Sequence, residues 1–188
     1  MYSCREERVC FVEKQLHSEA VLAIACNGVQ VITTGRDRCV KIFTIQGQQP
    51  SLQQVQEFTV SEVGTTISMH PSNKFFIVSC GNVCWKVIDS HDGTCYATVT
   101  VPNTLATIVQ ICFHPDGHIL GVATTDGAVY IYDLITCSVV VDIQDPSASS
   151  VAVSSFDFSE NGYHIAIAYV DGTFLSLYLL LCVCVCFF

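Results

Sequence analysis

Ser90, His91 and Asp92 are the three residue types of a nucleophilic relay, and they stand side by side in this 188-residue chain. Adjacent residues cannot make such a relay, because nucleophile, base and orienting carboxylate must converge from separate elements. Cys80 and Cys84, and Cys182, Cys184 and Cys186 near the C-terminus, are candidates for metal ligation, and the last three share one face if their segment is a strand. Their spacings do not match common zinc pairs and no histidine lies close by in sequence, so no metal is assigned. His70, His114 and His118 border turns, where a histidine serves packing more readily than proton transfer. There is no G-x-S-x-G, no phosphate-binding glycine loop and no paired carboxylates beside an evident cleft. No cofactor is expected, and a non-catalytic protein is.

Composition limits the partners. Hydrophobic residues make up 51% of the chain and charged residues 13%, a balance that favours strands buried on both faces over disorder. The net charge of −9 repels a phosphate backbone, so direct nucleic-acid binding is disfavoured, with Arg36 and Arg38 as the local basic spot. The N-terminal "MYSCREERVCFVEKQL" has neither an apolar core nor a small-residue cleavage pattern, which suits an intracellular protein. Twelve cysteines are then read as reduced, with Cys26, Cys39, Cys95, Cys112 and Cys137 acting as small hydrophobes among apolar neighbours.

The elements that position these residues repeat. Asp37, Asn82, Asp126 and Asp171 mark equivalent turns at intervals of 45, 44 and 45 residues. Met69, Phe113 and Phe158 mark a second position at intervals of 44 and 45. Within each unit, short apolar or alternating runs are broken by turn residues, the signature of strands. "IVQICF", "HILGVATT" and "AVYIYDL" predict three strands, and "CYATVTV" and "SVVVDIQ" predict a fourth in their units. The Asp-Gly pairs at 116/117, 126/127 and 171/172 and the Asn-Gly pair at 161/162 predict tight hairpins, because both residue types tolerate positive φ. A four-stranded sheet that is apolar on both faces cannot be stable alone, and stacking such units radially gives an all-β propeller. The predicted units are 17–60, 61–104, 105–150 and 151–188, about four blades.

These residues resemble the WD-repeat (WD40) propellers. Such units carry a Gly-His pair before the first strand, a Ser or Thr late in the second, an Asp in the following turn and a Trp-Asp pair ending the third. The Asp is kept at Asp37, Asp126 and Asp171, with Asn82 as a substitute, and the late hydroxyls are Thr34 and Thr125. Phe43, Ile88, Tyr132 and Leu177 replace the Trp, while Asp89 and Asp133 keep the Asp, and only His17 stands in the place of the His. The hydrogen-bond network of the family is therefore expected to be complete in no unit, each turn leaning on its own local bonds.

From Val63 to Leu179 the likeness is to the propellers of spliceosomal U-box ubiquitin ligases. It rests on "FHPDG", "FSENGY" and "CWKVIDSHDGTCYATVT", where Trp85 falls three residues before the usual Trp position. The resemblance implies a partner-docking scaffold in the nucleus, with spliceosome or ubiquitin-ligase components as protein partners. No U-box is read in these residues, so the ligase activity of that family is not expected.

Two features depart from the family. About four units fall short of its usual ring of about seven, which is expected of a fragment, a truncated product or a diverged paralogue. An open arc leaves two sheet faces bare and invites self-association. The segment Gly172 to Phe188 carries no charge and, at 17 residues, sits at the lower limit for a membrane span. Its alternating "CVCVC" and lack of a basic flank favour a strand over an anchor, with Phe174 to Tyr178 as the third strand of its unit. A membrane-tethered form and a propeller enzyme with polar residues converging on a central channel are the rival readings.

Overall fold

The computed structural model describes residues 15–46, 51–144 and 151–179. Among them there are fifteen strands and no helix. The first sheet contains β1 (Val21–Cys26), β2 (Gln30–Gly35), β3 (Cys39–Gln46) and β4 (Ser51–Thr59). The second contains β5 (Ile67–Met69), β6 (Phe75–Cys80), β7 (Cys84–Asp89) and β8 (Cys95–Thr100), and the third β9 (Ile108–Phe113), β10 (Ile119–Thr124), β11 (Ala128–Asp133) and β12 (Ser138–Gln144). The fourth has β13 (Val153–Phe158), β14 (His164–Tyr169) and β15 (Phe174–Tyr178). Each sheet is an antiparallel meander in chain order. The fourth strand expected of the last unit falls on residues 180–188, outside the described residues. The same boundary cuts the apolar tail: Phe174–Tyr178 is strand β15, and among the described residues no helix is long and apolar enough to cross a membrane.

The sheets stack face to face, and three apolar cores lie between them. Ile32, Val40 and Ile42 of the first sheet meet Phe76, Val78 and Ile88 of the second. Ile77, Trp85 and Val87 of the second meet Ile111, Leu120 and Tyr132 of the third. Ile119, Val129 and Ile131 of the third meet Phe156, Ile165 and Ile167 of the fourth. β1, β5, β9 and β13 are the inner strands, and among the described residues no core joins the fourth sheet to the first, so the arc they form is open. This explains why one motif has two burial patterns. All six residues of β10 are buried, whereas β14 alternates exposed and buried along its length. Among the described residues the third sheet has a neighbour on each side and the fourth has one.

Trp85, displaced from the family's Trp position, is wholly buried and packs edge-on against Tyr132 with ring centroids 5.1 Å apart. Such a pair contributes about 0.5–1.5 kcal/mol beyond its buried area. The indole N–H and the Tyr132 hydroxyl are both buried without hydrogen-bond geometry to any partner. Burial pushes the Tyr132 hydroxyl up to about 12. Reduced cysteines only partly follow the expectation. Cys80 is buried and Cys39, Cys112 and Cys137 are half-buried, but Cys26 and Cys95 are exposed, Cys26 because it points away from the second sheet and Cys95 because it opens β8, the outer edge strand of its sheet. Burial pushes the Cys112 thiol up to about 11.

Hairpin chemistry differs from the expected form in an instructive way. In the Asp-Gly and Asn-Gly pairs only the glycine takes positive φ. Its N–H returns to the carbonyl three residues earlier, as in Gly117 to His114 at 2.9 Å and Gly162 to Ser159 at 2.8 Å. The Asp or Asn instead accepts from the backbone two residues on, as Asp116 does from His118 N at 2.8 Å.

Those glycines also receive the neighbouring sheet. The Nε2–H of His70, stacked on Phe75, donates to the Gly117 carbonyl at 2.9 Å. His114, edge-on to Phe158, repeats the bond to the Gly162 carbonyl at 2.8 Å. A Cβ on Gly117 would lie 2.6 Å from His70 Nε2, and one on Gly162 would lie 2.4 Å from the His114 ring. Two costs therefore meet at these sites: an L-residue at positive φ, about 1–2 kcal/mol, and a lost inter-sheet hydrogen bond, about 1 kcal/mol. Gly28 is at φ +84° with nothing within 4 Å, so it carries the first cost alone. In urea denaturation, Gly117→Ala and Gly162→Ala should each lose about 1 kcal/mol more than Gly28→Ala. Equal losses at the three sites would show that the histidines do not latch the sheets.

Candidate functional site

The turns marked by Asp37, Asn82, Asp126 and Asp171 lie at one end of the stack, beside the segments that lead into β1, β5, β9 and β13. Backbone bonds tie each turn to its lead-in: Arg36 N to Ala20 O at 2.8 Å, Gly81 N to Val63 O at 3.1 Å, Thr125 N to Thr107 O at 2.9 Å and Val170 N to Ala152 O at 3.0 Å. The result is a rim of braced loops.

In the first sheet the rim holds a three-residue relay. His17 Nδ1–H donates to the Asp37 carboxylate at 3.0 Å, and His17 Nε2 accepts from the Thr33 hydroxyl at 2.7 Å. Asp37 also accepts from Ser18 N at 3.0 Å and Cys39 N at 3.1 Å. Burial pushes the Asp37 carboxyl up, but the bonds from His17, Cys39 N and Ser18 N outweigh it and hold it below the usual carboxylate range. More of the family's network thus assembles than the sequence led us to expect, with Phe43 still lacking the indole N–H. The hydroxyl is Thr33 and not Thr34, which donates instead to the Gly64 carbonyl at 3.3 Å. One residue along a strand changes the face, and Thr34 points to the second sheet. The order carboxylate, imidazole, hydroxyl is that of a hydrolytic relay, yet Thr33 is only 2% exposed, so no substrate reaches it. The relay is a clamp.

The third sheet builds the same clamp from other residues. Asn103 Nδ2 donates to Asp126 at 2.8 Å in the place of the histidine, and the Thr124 hydroxyl donates to the other carboxylate oxygen. Thr125, the expected hydroxyl, sits in the turn and accepts from Thr107 N at 2.9 Å. Burial raises the Asp126 carboxyl, and the bonds from Thr124, Asn103 and Ala128 N more than reverse that. Asn103 escaped sequence reading because it stands 23 residues before its aspartate where His17 stands 20 before its own. The true hydroxyl positions Thr33, Ser79 and Thr124 keep intervals of 46 and 45, a signal the sequence did contain.

The remaining marked residues have local or core roles. Ser79 accepts from Thr65 N and Thr66 N at 2.8 and 3.1 Å. Asn82 is exposed in a turn where Gly81 takes the positive φ, and its carbonyl accepts from Ile108 N at 2.7 Å. Asp171 accepts from the Thr173 N–H and hydroxyl at 2.8 and 2.6 Å. Asp133 caps the β11–β12 turn at the opposite end of the stack, accepting from Ile135 N and Thr136 N at 2.7 and 2.9 Å. Tyr132 and Trp85 belong to the core between the second and third sheets. Among the described residues no group of His, Cys, Asp or Glu is placed to hold a metal.

Beside the Asp126 clamp the rim opens into a hollow of about 290 Å³ lined by Asn103, Leu105, Ala106, Thr125 and Asp126. Leu105 is 95% exposed there. The hollow joins a fixed carboxylate to a bare apolar side chain on a loop held by the Asn103 side-chain oxygen, which accepts from Leu105 N at 3.1 Å.

Stacked antiparallel meanders with a 45-residue period and an aspartate-centred clamp in the rim define a WD40-type propeller segment. Residues 97–152 match the family model described as the anaphase-promoting complex subunit 4 WD40 domain. Among particular proteins, the chain is similar to pre-mRNA-processing factor 19 homolog 2 of Arabidopsis thaliana, at 29% identity over 161 residues, 83% of this chain and 30% of that protein. It is similar also to pre-mRNA-processing factor 19 of Oryza sativa subsp. japonica, at 31% over 143 residues, 75% of this chain and 26% of that protein. A more distant likeness is to echinoderm microtubule-associated protein-like 2 of Homo sapiens, at 28% over 120 residues, 63% of this chain and 18% of that protein. The chain spans about a quarter to a third of the length of the factor 19 relatives.

A carboxyl held low in the folded state contributes stability above its unfolded pKa, near 4, and loses that contribution as pH falls through the folded value. The stability gap between wild type and Asp37→Asn should therefore be widest at neutral pH and close below about pH 4. A gap that stays constant down to pH 2 would show that the Asp37 charge does not drive the clamp.

Proposed function

We propose that the chain is a non-catalytic docking scaffold, and that its rim receives a segment of a protein belonging to a pre-mRNA-splicing or ubiquitin-ligase assembly in the nucleus. The observation that carries the docking reading is Leu105, nearly fully exposed beside the clamped Asp126 carboxylate. An exposed leucine on a braced loop is an apolar anchor with little ordering cost on binding. The adjacent carboxylate and a net charge of −9 favour a partner segment with basic side chains. The splicing assignment is supported by the names of the relatives, pre-mRNA-processing factors that match over 75–83% of this chain.

Copurification from nuclear extract tests both parts. Wild-type chain should recover splicing or ubiquitin-ligase proteins, and Leu105→Asp should recover about tenfold less while keeping its thermal unfolding midpoint. Recovery of no such component by the wild type would remove the splicing reading. Equal recovery by Leu105→Asp would move the docking site away from the hollow.

A further inference from the structure

Cys80 and Cys84, which hold no metal, meet across a turn. β6 and β7 pair so that Cys80 faces Cys84 directly, with Gly81, Asn82 and Val83 forming the turn between them. Among the described residues no other two cysteines stand in register across neighbouring strands. Directly opposed residues of antiparallel strands have Cα atoms about 4.5–5.5 Å apart, inside the span of roughly 4.4–6.8 Å that a disulfide bridges. The backbone is already placed for one.

Both thiols lie on one face. Phe76 and Val78 of β6 and Ile88 of β7 belong to the core shared with the first sheet, and Cys80 and Cys84 continue those rows by strand alternation. The turn holds them there: Gly81 takes φ +68°, its N–H donates to the Val63 carbonyl at 3.1 Å, and the Glu62 carboxylate lies over it. Polar groups surround the pair. Cys80 Sγ is 3.3 Å from Ser61 Oγ, which also accepts from Lys86 Nζ at 3.1 Å, and Cys84 Sγ is 3.4 Å from Thr100 Oγ1. The two differ in access. Cys84 is half-buried and Cys80 only 4% exposed, the arrangement of an attacking thiol within reach of solvent and a resolving thiol behind it.

We propose that Cys80 and Cys84 are a reversible redox site that a hydroperoxide closes to a disulfide. The Cys84 sulfur, its proton lost to water, attacks one oxygen of hydrogen peroxide; the O–O bond breaks and hydroxide leaves, giving a sulfenic acid. The Cys80 sulfur then attacks the Cys84 sulfur, the S–O bond breaks, and the leaving oxygen takes the Cys80 proton and departs as water. Two thiols give up two electrons, and one peroxide becomes two waters. Exchange with a dithiol reverses the step. Closure draws Cys80 Sγ toward Cys84 and off Ser61, the residue of the β4–β5 connection that holds Lys86, so the state of the pair reaches the loop joining the first and second sheets. The inference is independent of what the rim docks.

Trypsin releases Phe75–Lys86, FFIVSCGNVCWK, which carries these two cysteines and no other. The folded 188-residue chain is treated with hydrogen peroxide, remaining thiols are alkylated in denaturant, and the mass of this peptide is measured. In the wild type it should appear unalkylated and lighter by two hydrogens, and dithiothreitol before alkylation should restore the dialkylated form. Cys80→Ser leaves Cys84 without a resolving thiol, so its peptide should instead gain oxygen, as sulfenic and then sulfinic acid. Cys84→Ser should keep Cys80 reduced at the same peroxide dose. If Cys80→Ser fails to fold, Cys80→Ala takes its place. A wild-type peptide recovered with both thiols alkylated, or linked to another peptide of the chain, overturns the proposal. A Cys84→Ser variant oxidised at Cys80 as readily as the wild type closes also overturns it, since the buried thiol would then be the one that peroxide reaches.

Discussion

Every sheet in this chain has two faces that must leave water, and no sheet can cover itself. Burial of apolar surface is worth about 25 cal/mol per Å², so a bare sheet face forfeits stabilisation that its neighbour could supply. The stack answers that constraint, and the other features depend on it. β10 and β11 are buried along nearly their whole length because sheets flank them on both sides, while β14 exposes every second residue. Apolar area alone would let sheets slide. The polar joints fix the register: hydroxyls and Gln110 from one inner strand reach the backbone of the next, and His70 and His114 seat in turns that only glycine can provide.

With the stack fixed, the rim becomes rigid at low cost. Turns and lead-in loops are bound to each other by backbone bonds, and an aspartate gathers the remaining donors in the first and third sheets. Two clamps with one role use different chemistry, His17 with Thr33 and Asn103 with Thr124. What the turn requires is a carboxylate with enough donors around it, and the identity of the donors is free to drift. Such a scaffold can vary the exposed residues, Leu105 among them, without disturbing the loops that hold them.

Much of the fold was legible in the sequence. β9, β12 and β15 coincide with the segments marked on the chain, because alternation and turn residues act locally. The fixed interval revealed the stacking, since repeated faces imply repeated neighbours. Less was legible at the rim. Thr34 and Thr125 were each one residue away from the hydroxyl that bonds the clamp, a shift that reverses the strand face at Thr34 and leaves the strand for the turn at Thr125. Asn103 and the histidine latches were hidden for a different reason: their partners lie 23 to 48 residues away, and the pairing exists only once the sheets are stacked. The exposed Cys26 and Cys95 were misjudged because composition says that thiols prefer the interior, while only the fold turns Cys26 away from the second sheet and puts Cys95 on an outer edge strand.

The central claim is that cover from neighbouring sheets sets the order of the whole chain, the rim included. Native-state hydrogen exchange resolved along the sequence measures that cover directly. β10 and β11 amides should exchange slowest, with β14 and β15 markedly faster despite their matching sequence pattern, and the Asp126 turn should be protected with β10. Protection in β14 and β15 equal to that in β10 and β11, in the chain held dilute enough to be monomeric, would contradict the account.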